Sequence, residues 1–278
     1  MIYQIIYKPL KKLFKYFLEI FYFLSKNSRI HFSGTYKSWD NAKKNSKGYD
    51  DENILKRVKY STSFLLSKKG IYERDGVILK NYDFSYQTLS IILRASNENK
   101  LKCKVIDFGG SLGSTYYNHR SFLSNIKYLK WTVVEQNNFV KVGNKHFTNK
   151  IINFCNSIDE AKKSFKKPNV TILSGSIQYL PNPYYILKKI IQTKTDYIVI
   201  DRSPFLIEGK TKISIQKIPK TIIESSYPIW LFNEVEFKKT FKKKYQEIAT
   251  FDALDGVLGH GKLKVRYKGI IYKRIVSN

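Results

Sequence analysis

The chain has 278 residues, 15% of them aromatic and only seven Pro, which excludes a disordered polymer and is long enough for a sizeable core. Its 50 Lys and Arg against 22 Asp and Glu give a net charge of +28. That excess suits nucleic acid, anionic lipid or an anionic substrate, and equally a composition in which Lys fills neutral surface positions.

Residues 1–28 read as a basic amphipathic helix, with Leu10, Leu13, Phe14, Phe17, Phe21 and Leu24 at helical spacing and Lys11, Lys12 and Lys15 mostly off that stripe. The lysines and Glu19 break any run long enough to span a bilayer. Such a helix can lie on an anionic membrane surface, or pack on its own domain or a second copy. Residues 29–100 read as a helical extension serving as a lid. Ser38 or Asp40 is placed to cap a short helix, and Asp50 or Asp51 to cap a helix over 52–66. Tyr72-Glu73-Arg74-Asp75 is a charged cluster, and 84–95 reads as a further helix.

From residue 101 to 278 strands and helices alternate. Strands are expected at 103–108, 131–134, 151–154, 170–173 and 197–200, with helices at 116–127, 140–145, 158–165 and 184–191 between them. Residues 213–230 show little periodicity. A helix at 235–241 and two closing strands, 245–251 and 263–275, follow. This pattern implies a Rossmann-like α/β fold: a mostly parallel seven-stranded sheet with an antiparallel edge strand and a helical N-terminal extension.

The first strand of this series ends in Asp107, and Gly109, Gly110 and Gly113 follow, with Ser111 between them. A glycine turn between a strand and a helix holds nucleotide-like ligands in open α/β sheets. The spacing departs from G-x-G-x-x-G, and an acid before the glycines would repel a pyrophosphate. A cationic, phosphate-free ligand such as S-adenosyl-L-methionine fits better. Glu135, ending the next strand 28 positions later, can accept hydrogen bonds from both hydroxyls of a ribose. Gln136, Ser176, Gln178 and Tyr179 stand at further strand ends and complete the expected cofactor set.

Several stretches together resemble a known family, the methyltransferases encoded among bacterial O-antigen and capsule genes. They are Phe32-Ser33-Gly34, Tyr36, Ser38-Trp39, Tyr72 to Asp75, Asp107 to Ser114, Val133 to Gln136, Ser176 to Leu180, Ile200 to Phe205, Gln216 to Pro219, Ser226-Tyr227-Pro228 and Trp230. The resemblance implies a class I methyltransferase fold and a link to surface-glycan assembly. The expected reaction is O-methylation of a sugar of a cell-surface polysaccharide or of its lipid-linked precursor. The expected location is the cytoplasm, with peripheral attachment to the inner membrane. A noncatalytic scaffold of the same fold is the alternative. A nucleic-acid methyltransferase is a weaker one, since no Asn/Asp-Pro-Pro-Tyr follows the fourth strand of the series.

Candidate general bases are Asp201, at an expected strand end, His260, in a glycine-flanked loop, and Glu73. Asp201 could instead pair with Arg202. Arg74, Arg202, Gln216 and Tyr227 are the candidate acceptor contacts. Two cysteines and four dispersed histidines give no metal-ligand spacing, so no metal is expected.

Overall fold

The computed structural model describes residues 30–47, 51–80, 85–165, 167–219 and 225–276. The expected helix over 1–28 lies outside the described residues.

The front of the chain is less helical than expected. β1 (His31–Tyr36) precedes α1 (Trp39–Lys44), whose first-turn amide at Asn41 donates to the Ser38 hydroxyl at 3.2 Å. Next come α2 (Asp51–Ser67), the short strands β2 (Tyr72–Arg74) and β3 (Val77–Leu79), and α3 (Tyr86–Glu98), capped by Ser85. The charged cluster is thus half of a β-hairpin. Asp75 and Gly76 both have positive φ, 52° and 78°, which suits the two-residue turn whose twist matches antiparallel strands.

The large sheet contains β4 (Lys102–Phe108), β5 (Tyr128–Val134), β6 (Ile152–Cys155), β7 (Val170–Ser174), β8 (Tyr197–Leu206), β11 (Tyr245–Leu258) and β12 (Val265–Arg274). Their order is β11-β12-β8-β7-β4-β5-β6. Pairing is parallel from β6 to β8, and β12 is antiparallel to both β8 and β11 at the far edge. The helices between these strands are α4 (Ser114–His119), α5 (Asn137–His146), α6 (Ile158–Ser164) and α7 (Pro183–Gln192), with α8 (Glu234–Lys239) before β11.

Side chains alternate faces along each strand. Cys103, Val105, Trp131, Val133, Val170, Ile172, Tyr197 and Val199 face one core, shared with Ile54 and Val58 of α2 and Leu89 and Ile92 of α3. Leu173, Ile198 and Ile200 face the other, against Leu187 and Ile190 of α7 and Phe237 of α8. The N-terminal helices therefore cover one face of the sheet.

Three further expectations change. The helix after the glycine turn stops at His119 rather than continuing to 127. β8 does not end at Ile200. It leaves its parallel neighbour at the Ser174–Asp201 pair and runs on against β12 to Leu206. The described residues of 213–230 are not irregular: β9 (Lys212–Ile218) is the central strand of a separate three-stranded antiparallel sheet, pairing with β1 on one side and with β10 (Ser225–Leu231) on the other. Period-two alternation is weak there because both faces of that sheet are largely buried. Ile213, Ser214, Ile215 and Gln216 are consecutive buried residues.

Candidate active site

β4 stands where the chain turns to opposite sides of the sheet. Its sequence successor β5 pairs on one side and β7 on the other. A crevice at the carboxyl ends of the strands forms at such a switch point. The glycine turn lies there, with Gly109, Gly110, Ser111, Glu135, Gly175 and Ser176 all half-buried around it.

Each glycine of the turn has a reason within the protein. A Cβ on Gly109 would lie 2.4 Å from Ser176 Cβ, and one on Gly110 would lie 2.4 Å from Asp107 Cγ. Gly113 has a φ of 89° and meets Ile152 in the same way. The turn is thus pressed against β4, β6 and the loop after β7, and a side chain at these points would push it out of the crevice. Ser111, where the usual turn has its middle glycine, has a φ of 54°. That left-handed conformation is unfavourable for a residue with a Cβ. Ser111→Gly is expected to stabilise the protein by about 1 kcal/mol, read as a higher urea midpoint at unchanged slope; an unchanged midpoint would show that the turn carries no strain.

Asp107, Glu135 and Asp201 share strand parity with Val105, Val133 and Val199, so all three project toward the face covered by α2 and α3. Asp107 is buried below Gly110 and accepts from Trp131 Nε1 at 3.2 Å. Burial, reinforced by the nearby Glu135 charge, pushes its carboxyl up to about 7. Glu135 binds the turn directly. Its Oε1 accepts from the Ser111 amide at 3.2 Å and its Oε2 from the Gln136 amide at 2.8 Å. Gln136 itself is exposed at the start of α5.

Asn156 belongs to no motif in the sequence. It follows β6 and donates from Nδ2 to the Glu135 carbonyl at 3.4 Å, placing an amide beside the carboxylate. The weak apolar signal of β6 hid it. Ser176 donates to the Phe108 carbonyl at 2.9 Å and holds the neighbouring loop on the turn.

Asp201 is 3% exposed and lies in a bulge, where Asp201 and Arg202 together face Gly269 of β12. Bulges re-aim side chains beside functional crevices. Here Arg202 takes a φ of 52°, and its amide donates to Asp201 Oδ1 at 2.8 Å. Burial raises the Asp201 carboxyl to about 6, and the Arg202 charge and amide hold it from going higher.

The Arg202 guanidinium turns away from Asp201. It grips Asp75 of the hairpin at 2.7 and 3.3 Å and Asp255 of β11 at 2.9 and 3.0 Å. Burial opposes its charge, and the two carboxylates more than offset that, holding it firmly protonated. The alternative of an Asp201–Arg202 side-chain pair gives way to this clasp, and both edges of the expected acceptor contact are already engaged. Its two partners, Asp75 and Asp255, lie 127 and 53 positions away in sequence, too far for local spacing to indicate.

Glu73 is 1% exposed. It accepts from the Gly76 amide at 2.6 Å and from the Ser114 hydroxyl, and its backbone exchanges hydrogen bonds with the Asn118 side chain at 3.1 and 2.7 Å. Burial raises its carboxyl above the usual range. These bonds dock the hairpin on α4, immediately after the glycine turn, so Glu73 is a brace of the turn rather than an open base. Arg74, beside it, is half-buried in β2.

Gln178 is buried, with Nε2 donating to the Arg202 carbonyl at 3.1 Å, which makes it a support of the bulge. Tyr179 donates to Gln216 Oε1 at 3.0 Å and meets Tyr227 edge-on, with ring centroids 5.2 Å apart. Gln216 and Tyr227 are direct cross-strand partners in the small sheet. The structure thus gathers one expected cofactor residue and two expected acceptor residues into a single patch. His260 is exposed in the loop before β12, beyond the pairing of Val265 with Leu206 at the far end of β8 from Asp201. Among the described residues no cluster of His, Cys, Asp and Glu could hold a metal.

Numbering the large sheet's strands by sequence gives the order 6-7-5-4-1-2-3, with the seventh antiparallel. That order, with the glycine turn after strand 1 and an acid after strand 2, defines a Rossmann-like fold of the class I methyltransferase type. No family profile matches the sequence, and no curated protein matches it. Similar solved structures include the N-terminal domain of EvdMO1 with SAH bound, 10% identical, covering 82% of this chain and 98% of that one at a TM-score of 0.45. A SAM-dependent methyltransferase from Methanosarcina mazei is 11% identical, covering 70% and 100% at 0.46. The amino pentose methyltransferase CalS10 from Micromonospora echinaspora is 8% identical, covering 71% and 100% at 0.39.

Proposed function

We propose that this protein is an S-adenosylmethionine-dependent methyltransferase that O-methylates a sugar of a cell-surface polysaccharide or of its lipid-linked precursor. The observation that carries the reading is the Glu135 carboxylate bonded to the Ser111 amide of the switch-point turn. A carboxylate has about four acceptor positions, and an amide donor on each oxygen still leaves it the capacity to receive a vicinal diol. Asp107, Glu135 and Asp201 on one face suit a ligand with positive charge and no phosphate. Arg202, the cation beside them, is already matched by two carboxylates.

When bound, S-adenosylmethionine supplies an electrophilic methyl group on a sulfonium, which an acceptor oxygen takes in a single displacement. The protein's part is to align the two and to remove the hydroxyl proton. Asp201 takes that role in this reading. A carboxyl raised to about 6 is ionised at neutral pH yet more basic than an ordinary Asp. Tyr179, Gln216 and Tyr227 offer aromatic faces and an amide, the surfaces that sugars use. Residues 1–28 would bring the enzyme to a lipid-linked acceptor at the inner membrane. Among the described residues no helix is long and apolar enough to cross a bilayer.

Calorimetry of the full chain with S-adenosylmethionine and S-adenosylhomocysteine tests the cofactor; absence of saturable binding sinks the reading. Transfer of a radiolabelled methyl group to lipid-linked saccharide extracts tests the acceptor. Label appearing in RNA or DNA would move the substrate class, and binding without turnover would leave the scaffold reading. Asp201→Asn is expected to lower kcat by about a hundredfold or more with a much smaller loss of cofactor affinity, and to remove the acidic limb near pH 6 from the rate profile.

A further inference from the structure

At the other end of β5 from the glycine turn, the chain after α4 and the loop before β6 enclose a cleft of about 260 Å³. β4 and β5 pair from Lys102–Tyr128 at this end to Phe108–Val134 at the crevice. Six residues of strand separate the two, about 20 Å, so the cleft is distinct from the candidate active site.

Arg120, Lys127, Lys130 and Lys150 line it, and no Asp or Glu does. Among the described residues none of the four cations pairs with a carboxylate. Lys130 and Arg120 reach only backbone carbonyls, of Lys150 at 2.9 Å and of Leu65 at 3.4 Å. Arg120 Nη1 is buried and has no acceptor. A buried guanidinium N–H without a partner costs free energy, and a turn of the Arg120 side chain toward an anion in the cleft would recover it. The lysines surround it at exposed positions, while the buried side chains of Tyr116 and Leu123 form an apolar wall.

We propose that this cleft is a binding site for a phosphate group carried on an apolar or aromatic body. Arg120 is the anchor. Its planar fork matches phosphate oxygens, and the lysines add charge without demanding one geometry. The apolar wall contacts what the phosphate is attached to. The ligand chemistry is shared by a phospholipid headgroup at a membrane surface and by a soluble phosphate compound. The proposal does not depend on methyl transfer and stands or falls separately from it.

The test titrates the full chain with pyrophosphate by calorimetry, and in parallel sediments it with phosphatidic acid vesicles in phosphatidylcholine, against pure phosphatidylcholine. Arg120→Gln is expected to weaken binding about tenfold, the worth of one charge-assisted hydrogen bond. Because Arg120 is half-buried, the exposed pair Lys127→Gln with Lys130→Gln provides a second variant that leaves the core untouched, with the same direction of effect. The control pair Lys188→Gln with Lys242→Gln removes equal charge elsewhere. Pyrophosphate binding lost in the cleft variants supports a soluble ligand. Sedimentation with phosphatidic acid, lost in the same variants, supports a lipid headgroup. Binding to neither probe, or equal loss in the control pair, overturns the proposal.

Discussion

Replacing Glu135 by Ala is expected to weaken S-adenosylmethionine binding by about a hundredfold or more. Hydrogen bonds to a charged group contribute about 1.5–3 kcal/mol each, and a carboxylate receiving a diol makes two of them. The substitution also takes away the acceptor of the Ser111 amide, so the turn loses a tie to β5. Glu135→Gln separates these effects. It keeps one carbonyl oxygen and the side-chain volume, and a loss of about tenfold is expected. Glu135 is half-buried at the surface of the crevice, so both variants should fold, with melting temperature as the control. Unchanged affinity in the Ala variant would remove the ribose contact and with it the cofactor assignment.

Asp107→Asn is expected to stabilise the protein near pH 8 by up to about 4 kcal/mol. The folded carboxyl titrates near 7 and the unfolded one at 3.8. Between those values the native state binds more protons than the unfolded one, so stability falls as pH rises through this window and is level above it. Each unit of difference is worth 1.36 kcal/mol, which sets the magnitude. An amide at this position keeps an oxygen for Trp131 Nε1–H at 3.2 Å and carries no charge to bury. Urea unfolding at pH 5 and pH 8 measures the effect. The wild type should lose stability between them and the variant should not; parallel behaviour would show that Asp107 titrates normally. In the proposed enzyme a cation bound at the turn would favour the ionised carboxyl. Cofactor binding at pH 7 should then release protons, visible as a buffer-dependent binding enthalpy.

Local rules made much of the sheet readable. Short, mostly apolar runs such as 103–108 and 170–173 suit strands buried on both faces of a parallel sheet, and both are strands. The acid, glycine turn and distal acid at Asp107 to Gly113 and Glu135 occupy the switch point, because a strand end, a tight turn and a helix start each leave a residue signature. The hairpin at 72–79 carries a readable sign as well, Asp75-Gly76, but the charges of Glu73, Arg74 and Asp75 mask it.

The sequence by itself therefore determined the class of fold and the seat of the crevice, since both follow from the alternation of apolar strand runs with helices and from turn chemistry within short windows. Only the tertiary structure decided what the acidic and basic residues around that seat do. Glu73 and Arg202 have the composition of site residues, yet one docks the hairpin on α4 and the other clasps Asp75 and Asp255. Asp201 and Arg202, neighbours in sequence, part company at a bulge that is itself set by pairing with β12, so that the guanidinium reaches carboxylates elsewhere and Asp201 stays buried without it. The physical reason is common to all three. A charged side chain's role is set by which partners neutralise it when it is buried, and these partners come from elements brought together only by folding.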